Sequence, residues 1–289
     1  MSQKNLKRLN LVLLVAVIAL GALSYFAPSL KHAATILRPI TVKPSEVRDI
    51  RIALPKQEMT ELRFGDKGWQ MTAPRNMPAD SNLIKTLLDY LDQESSVRFP
   101  AVQTDLQKYG LDKPKASLWL NGTEYDFGGL QPVDNRQYLL TGGQIYLING
   151  ALFYRVAHDA YWWMDKGLVP PGAHITALQL PQATLTLDKK GIWQMAPADA
   201  TVSADDIQKL MDAWQQDLAI SVAPIGTDPE QGEVSLSLAD SDQPLRFAIL
   251  KDPDFLVLAR PDLGLQYELD SSLRDTLLSV EPPKPASKH

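Results

Sequence analysis

The feature that most constrains this chain is an internal repeat. ELRFGDKGWQMTAP at 61–74 reappears as TLTLDKKGIWQMAP at 184–197. Each copy has a short strand-like stretch, a turn containing Lys and Gly, and then Trp-Gln-Met. These are Trp69-Gln70-Met71 and Trp193-Gln194-Met195. The pattern reads as a β-hairpin closed by Pro74 or Pro197. Pro74 and Pro197 are 123 residues apart, and so are Asp80 and Ser203. Asp80 and Ser203 suit helix N-caps, where a side-chain oxygen accepts from a free backbone N–H. Behind Asp80 come Leu83, Ile84, Leu87, Leu88 and Leu91; behind Ser203 come Ile207, Leu210, Met211, Trp214 and Leu218. Both sets follow the three-and-four spacing of an amphipathic helix. A match over two successive elements means one supersecondary unit used twice.

A β-rich stretch follows each helix. In the first copy, 117–120 and 125–127 flank Asn121-Gly122, a two-residue hairpin signal, and 137–140 and 145–148 flank Gly142-Gly143. In the second, 234–238 pairs with 245–250, and 255–259 and 265–269 flank a Pro261-to-Gly264 turn. Short helices are expected at about 151–165 and 271–279. The predicted fold class is α+β: an N-terminal transmembrane helix, then two tandem similar repeats of hairpin, helix, antiparallel meander and short helix. The expected organisation is a cytoplasmic head at 1–8, the transmembrane helix at 9–27 and a linker at 28–45. Repeat domains at 46–170 and 171–280 and a disordered Pro-rich tail at 281–289 complete it. Pro170-Pro171-Gly172 marks the boundary between the repeats.

Charge is unevenly placed along the 289 residues. Lys4, Lys7 and Arg8 give residues 1–8 a charge of +3, so a net charge of −5 leaves −8 for the rest. Residues 9–27, LNLVLLVAVIALGALSYFA, carry no charge, over about the length that crosses a hydrocarbon core. With the basic head held inside and Tyr25 and Phe26 at the far interface, they read as an uncleaved anchor. The expected location is the bacterial inner membrane, single-pass, with the body in the periplasm and the lipid bilayer as a partner through residues 9–27. A cleaved signal peptide ending near Ala22-Leu23-Ser24 is a rival reading, and a cytoplasmic body on the same anchor is another. The chain has no cysteine, which excludes disulfides, thiolate metal sites, a Cys nucleophile and lipid anchoring at a lipobox. Its acidic balance argues against nucleic acid as a partner.

Chemistry is sparse. His32, His158, His174 and His289 show no metal-ligand spacing, and there is no G-x-S-x-G nucleophile elbow. Asp205-Asp206 falls in the first turn of the second helix and Asp252-Pro253-Asp254 in a turn, so structure accounts for both pairs. Gly128-Gly129 and Gly142-Gly143 read as strand turns. No catalytic, cofactor-binding or metal residue is assigned. Tyr161-Trp162-Trp163-Met164 is the more informative run. Successive helical side chains point about 100° apart, so these four cannot share one core and Trp162 or Trp163 is left for the surface. Tyr161, Trp162 and Trp163 therefore form the candidate interaction surface, with packing between the repeats as the competing reading. Trp69 and Trp193 are assigned to the two cores.

The hairpin with its capped helix, Tyr109-Gly110-Leu111-Asp112-Lys113-Pro114, Phe127-Gly128-Gly129, Arg136-Gln137-Tyr138-Leu139-Leu140 and Gln144-Ile145-Tyr146-Leu147 together resemble a bacterial envelope family known only as domain of unknown function 4340. The resemblance covers about residues 9–225. In the second copy Gly226-Thr227-Asp228-Pro229 stands in place of the Tyr109-to-Pro114 element. The resemblance implies no catalytic residues; it implies association with ABC-type export systems. The function expected on these grounds is a membrane-anchored, periplasmic, non-enzymatic interaction module serving an envelope transport or assembly complex, with another envelope or transporter protein as its partner and no cofactor. A periplasmic hydrolase of cell-wall glycan or peptide, and a ligand-binding module with a pocket between the repeats, are the alternatives.

Overall fold

The computed structural model describes residues 15–18 and 36–280. Its frame is two antiparallel sheets. The first contains β1 (Asp49–Ala53), β2 (Thr60–Gly65), β3 (Gly68–Ala73), β4 (Met77–Pro78), β5 (Arg98–Pro100), β6 (Ala116–Leu120), β7 (Thr123–Leu130), β8 (Gln137–Thr141) and β9 (Gln144–Ile148). Their order is β4-β3-β2-β1-β6-β7-β8-β9-β5. The second contains β10 (Ile175–Gln179), β11 (Thr184–Leu187), β12 (Trp193–Ala196), β13 (Ser221–Pro224), β14 (Glu230–Leu238), β15 (Leu245–Leu250), β16 (Phe255–Arg260) and β17 (Leu265–Asp270). It runs β12-β11-β10-β14-β15-β16-β17-β13. Without β4, the two orders match strand for strand.

The strands follow from alternation. In β6 the buried positions are Ala116, Leu118 and Leu120, every second residue, as a sheet with one face on a core requires. Turn chemistry sets the registers: Asn121 and Gly122 both take positive φ between β6 and β7, so the hairpin closes in two residues.

Besides the helical residues 15–18, four α-helices lie between residues 36 and 280: α1 (Ser81–Asp89), α2 (Ala151–Val156), α3 (Ala204–Gln216) and α4 (Leu273–Leu278). The Asp80 carboxylate accepts from Asn82 N at 2.9 Å and Leu83 N at 3.1 Å. Ser203 and Asp206 form a reciprocal capping box at the start of α3. Ile84, Leu87 and Leu88 of α1 and Ile207, Leu210, Met211 and Trp214 of α3 enter one apolar core with residues of both sheets. Trp214 reaches through this core and donates from Nε1 to the Leu277 carbonyl at 2.9 Å, which satisfies its one polar atom.

Two expectations are corrected. The fold is mainly two antiparallel sheets with few short helices, and not the expected α+β chain of an N-terminal transmembrane helix followed by repeats of hairpin, helix, meander and short helix. Strands β4, β5 and β13 are too short to show as periodic runs, yet each lies at the end of a sheet. The short helix expected over 151–165 divides into α2 and a 3-10 turn at Ala160–Trp163, and Leu218 falls beyond the end of α3 at Gln216. The second correction concerns the membrane. Among the described residues no helix is long and apolar enough to cross a bilayer. The transmembrane, single-pass and inner-membrane expectations are therefore not supported. The span expected at 9–27 lies outside the described residues apart from 15–18, and so do 1–8 and 281–289. Residues 36–47 lie against the first sheet: Leu37 and Ser95 exchange backbone hydrogen bonds at 2.8 Å, and Ile40 and Val47 join the core.

The Tyr109-to-Pro114 element has a structural explanation. A 3-10 helix at Gln103–Tyr109 ends at Gly110, whose φ of +65° is left-handed. The chain then crosses close over Gly128 in β7, where any Cβ would run into the Tyr109 carbonyl oxygen and the Leu111 side chain. The Tyr109 ring packs 5.2 Å from Phe99 and 4.9 Å from Tyr138. Leu139 points into the core, so its neighbour Tyr138 points out of the opposite face. The element thus covers the outer face of the first sheet. Buried Gln137 donates to the Gly128 carbonyl at 2.6 Å and meets a backbone acceptor that the β7 bulge leaves unpaired. In the second sheet, residues 225–229 alone join β13 to β14, and the outer-face residues Ala248, Leu250, Val257 and Ala259 form a small cluster of their own.

Candidate interaction surface

Residues 159–168 stitch the two sheets together. Asp159 caps the 3-10 turn at Ala160–Trp163, accepting from Trp162 N at 3.1 Å. On one side, Asp80 N donates to Trp163 O at 2.9 Å and Asp165 N to Pro78 O at 3.1 Å, with Ala79 and Met164 in an antiparallel bridge. On the other side, Gly167 bridges to Leu218 and Ala219 N donates to Lys166 O at 2.9 Å.

The three aromatic residues of this segment part company. Trp163 is 1% exposed and belongs to the core, with its Nε1 buried and without a partner among the described residues. Tyr161 packs half-buried against that core. Trp162 is 40% exposed. It is held in place: His158 stacks on its ring with centroids 4.1 Å apart and planes 10° apart, and Lys166 Nζ lies 5.1 Å from its centroid. Lys166 also sits 3.9 Å from the Asp80 carboxylate, so one cation ties the ring to the cap of α1. Burial lowers the pKa of His158, which favours the neutral ring in this stack.

Next to Trp162 the surface is apolar. Leu218 is 59% and Ile220 57% exposed, because the chain leaves α3 there and enters β13, the last strand of its sheet. A cavity of about 260 Å³ lies between Tyr161, Trp162 and Lys166 on one side and Ile220, Val222 and Pro224 on the other. The aromatic half of this surface is legible in the sequence. The aliphatic half is not, because Leu218 fits the helical spacing of α3 and the alternation of Leu218, Ile220 and Val222 does not tell which of them is left exposed.

A second, smaller cavity of about 180 Å³ at the junction is lined by Met77, Leu168 and Leu245 together with Asp165, Arg260 and Tyr267. Burial raises the pKa of Asp165 and of Tyr267. Asp165 accepts from Gly167 N at 2.8 Å. Arg260 is committed to Asp262 through Nε at 2.9 Å and Nη2 at 2.7 Å. The Arg75 guanidinium donates across the junction to the Leu263 carbonyl. Of these contacts the Arg75 hydrogen bond joins the two repeats, while those of Asp165 and Arg260 brace local turns. Among the described residues no group of three or more His, Asp or Glu is placed to hold a metal ion. Asp205 and Asp206 sit in the capping turn of α3, and Asp252 accepts from Asp254 N and Phe255 N in a turn, both at 2.8 Å.

A family model matches residues 69–231, from β3 to the start of β14 and through the whole junction. The chain belongs to the family described as a domain of unknown function, DUF4340. No curated protein and no solved structure matches it. In this DUF4340 chain the hairpins and the Tyr109-to-Pro114 crossing are packing devices, and the exposed Trp162 lies in the segment that joins the two sheets.

Proposed function

We propose that this DUF4340 chain is a non-enzymatic interaction module, and that the strip of Trp162, Leu218 and Ile220 is its working surface. The observation that carries this reading is a locked, exposed indole that shares a cavity wall with the exposed Ile220, with the exposed Leu218 two residues earlier in the chain, where α3 gives way to the last strand of its sheet. Contiguous apolar surface of this kind marks protein contact sites, and Trp is over-represented among the residues that dominate binding energy. Preorganisation by His158 and Lys166 lowers the entropy lost when a partner closes on the ring. A transport or assembly complex as the partner rests on the family resemblance alone.

The ionisable groups beside the strip have structural duties: Asp159 caps, and Lys166 spans Trp162 and Asp80. That favours binding over hydrolysis. The adjoining cavity of about 260 Å³ falls below the ~300–1,000 Å³ of drug-sized ligand pockets, which favours a protein partner over a small molecule.

A photo-crosslinking residue at Leu218 in the producing cell tests the reading. The expected result is a discrete crosslinked species that disappears in a Trp162→Ala background and is absent when the probe sits at Asp240. Equal crosslinking from Leu218 and Asp240, or a species indifferent to Trp162→Ala, would overturn it.

A further inference from the structure

The two repeats differ at their hairpin edges, and the difference points to a second site. In the first sheet the edge of β3 is covered. Strand β4 pairs with it, Met77 opposite Met71 and Pro78 opposite Gln70, and Ala79 N donates to Trp69 O at 3.1 Å. The segment at 163–165 then closes over β4. Met71 and Met77 are buried as a result.

In the second sheet β12 is the edge, and no strand among the described residues pairs with it. The stretch that would correspond to β4 turns on itself instead: Asp199 accepts from Thr201 N at 2.8 Å and from Thr201 Oγ1 at 2.7 Å. Ser203 N, the counterpart of Asp80 N, donates to Asp206 within the capping box. What remains beside β12 is a groove of about 320 Å³ of mixed character, with Leu180, Met195, Val202 and Val280 on its apolar side and Gln182 and Asp199 on its polar side.

We propose that β12 and this groove bind an extended segment of another protein chain by strand addition. The bound segment places one long apolar side chain in the groove, in the manner of Met77 on β3, and acidic residues after it. Two observations fix that chemistry. Main-chain pairing along an open edge supplies affinity, and a pocket beside it selects an alternate side chain; β4 on β3 is that arrangement inside this molecule. Charge sets the direction. A strand antiparallel to β12 runs toward the β11–β12 turn, where Lys189 and Lys190 are exposed and form no ion pair with described residues. Acidic residues C-terminal to the apolar anchor meet them there. The site is separate from the Trp162 strip and stands whether or not that strip binds a partner.

Selection of a random phage-displayed peptide library on the immobilised full chain tests this. Enriched peptides should share a large apolar residue followed by Asp or Glu within about five positions, the reach of a strand at ~3.3 Å per residue. They should bind at least about tenfold more weakly to Met195→Glu and to the Lys189→Glu/Lys190→Glu double variant, equally to Met195→Leu, and equally to Trp162→Ala. The lysine pair is exposed, so the double variant keeps the test valid if Met195→Glu disturbs folding. No enrichment over blank support, peptides that bind both charge variants unchanged, or peptides that lose binding only with Trp162→Ala would each overturn the proposal.

Discussion

Met71 and Met195 sit at the same place in two copies of one hairpin, opposite Leu62 and Leu185. Met71 has no exposed surface; Met195 is half-exposed and lines a groove. The hairpins are alike and their surroundings are not. Around the first, β4, the segment at 163–165 and the Tyr109-to-Pro114 crossing cover both the sheet edge and the outer face. Around the second the corresponding connections are shorter or fold back on themselves. Duplication supplied two equivalent sheets; the connecting segments made one of them closed and left the other open. Both surfaces assigned to partners lie on the open one or at the seam between them.

The sharpest way to break this comparison is at glycine. Gly128→Ala drives a Cβ into the Tyr109 backbone, and a backbone atom cannot step aside cheaply. The expected loss is about 4 kcal/mol. Gly226→Ala, in the short connection of the second sheet, meets only the side-chain ends of Gln266 and Asp228, and the expected loss is within about 1 kcal/mol. Urea melts of the two variants check both. The methionines come next. Met71→Ala leaves a cavity in a filled core, worth about 3 kcal/mol, whereas Met195→Ala at the groove rim should cost under about 1 kcal/mol. Equal costs would mean that both hairpins are equally packed.

Two carboxylates sharpen the comparison with smaller effects of opposite sign. Burial holds the Asp165 pKa above its ordinary value. Its contribution to stability is therefore complete below the unfolded carboxylate pKa and is lost as pH rises through the raised folded value. Asp165→Asn should raise Tm at pH 7 by a few degrees and leave it unchanged near pH 3. Hydrogen bonds from Ser203 hold the Asp206 pKa below its ordinary value. Its contribution is present above the unfolded pKa and is lost as pH falls through the folded one, so Asp206→Asn should lower Tm at pH 7 and converge with the parent in acid. Thermal melts across pH check the two slopes together.

Much of the local structure is legible in the sequence alone. Asp80 and Ser203 announce their helices because a cap needs only one side chain at one position, and Trp-Gln-Met announces the hairpins because alternation is local. The family pattern was equally readable, from Tyr109 to Pro114. The sheet frame was not: β5 and β13 have three and four residues, too few for a period, and their partners lie far along the chain. Nor was the surface. Tyr161, Trp162 and Trp163 could be singled out, but which of them is exposed depends on the backbone pairing of 163–165 with 78–80 and of Lys166 and Gly167 with 218–219. Leu218 and Ile220 become a surface only because β13 ends its sheet.

Amide hydrogen exchange on the native full chain compares the two hairpin edges directly. If the first is closed and the second open, amides of residues 69–73 should exchange far more slowly than those of 193–196, because β4 protects one edge and no described strand protects the other. Equal protection of the two segments would contradict the closed-and-open account.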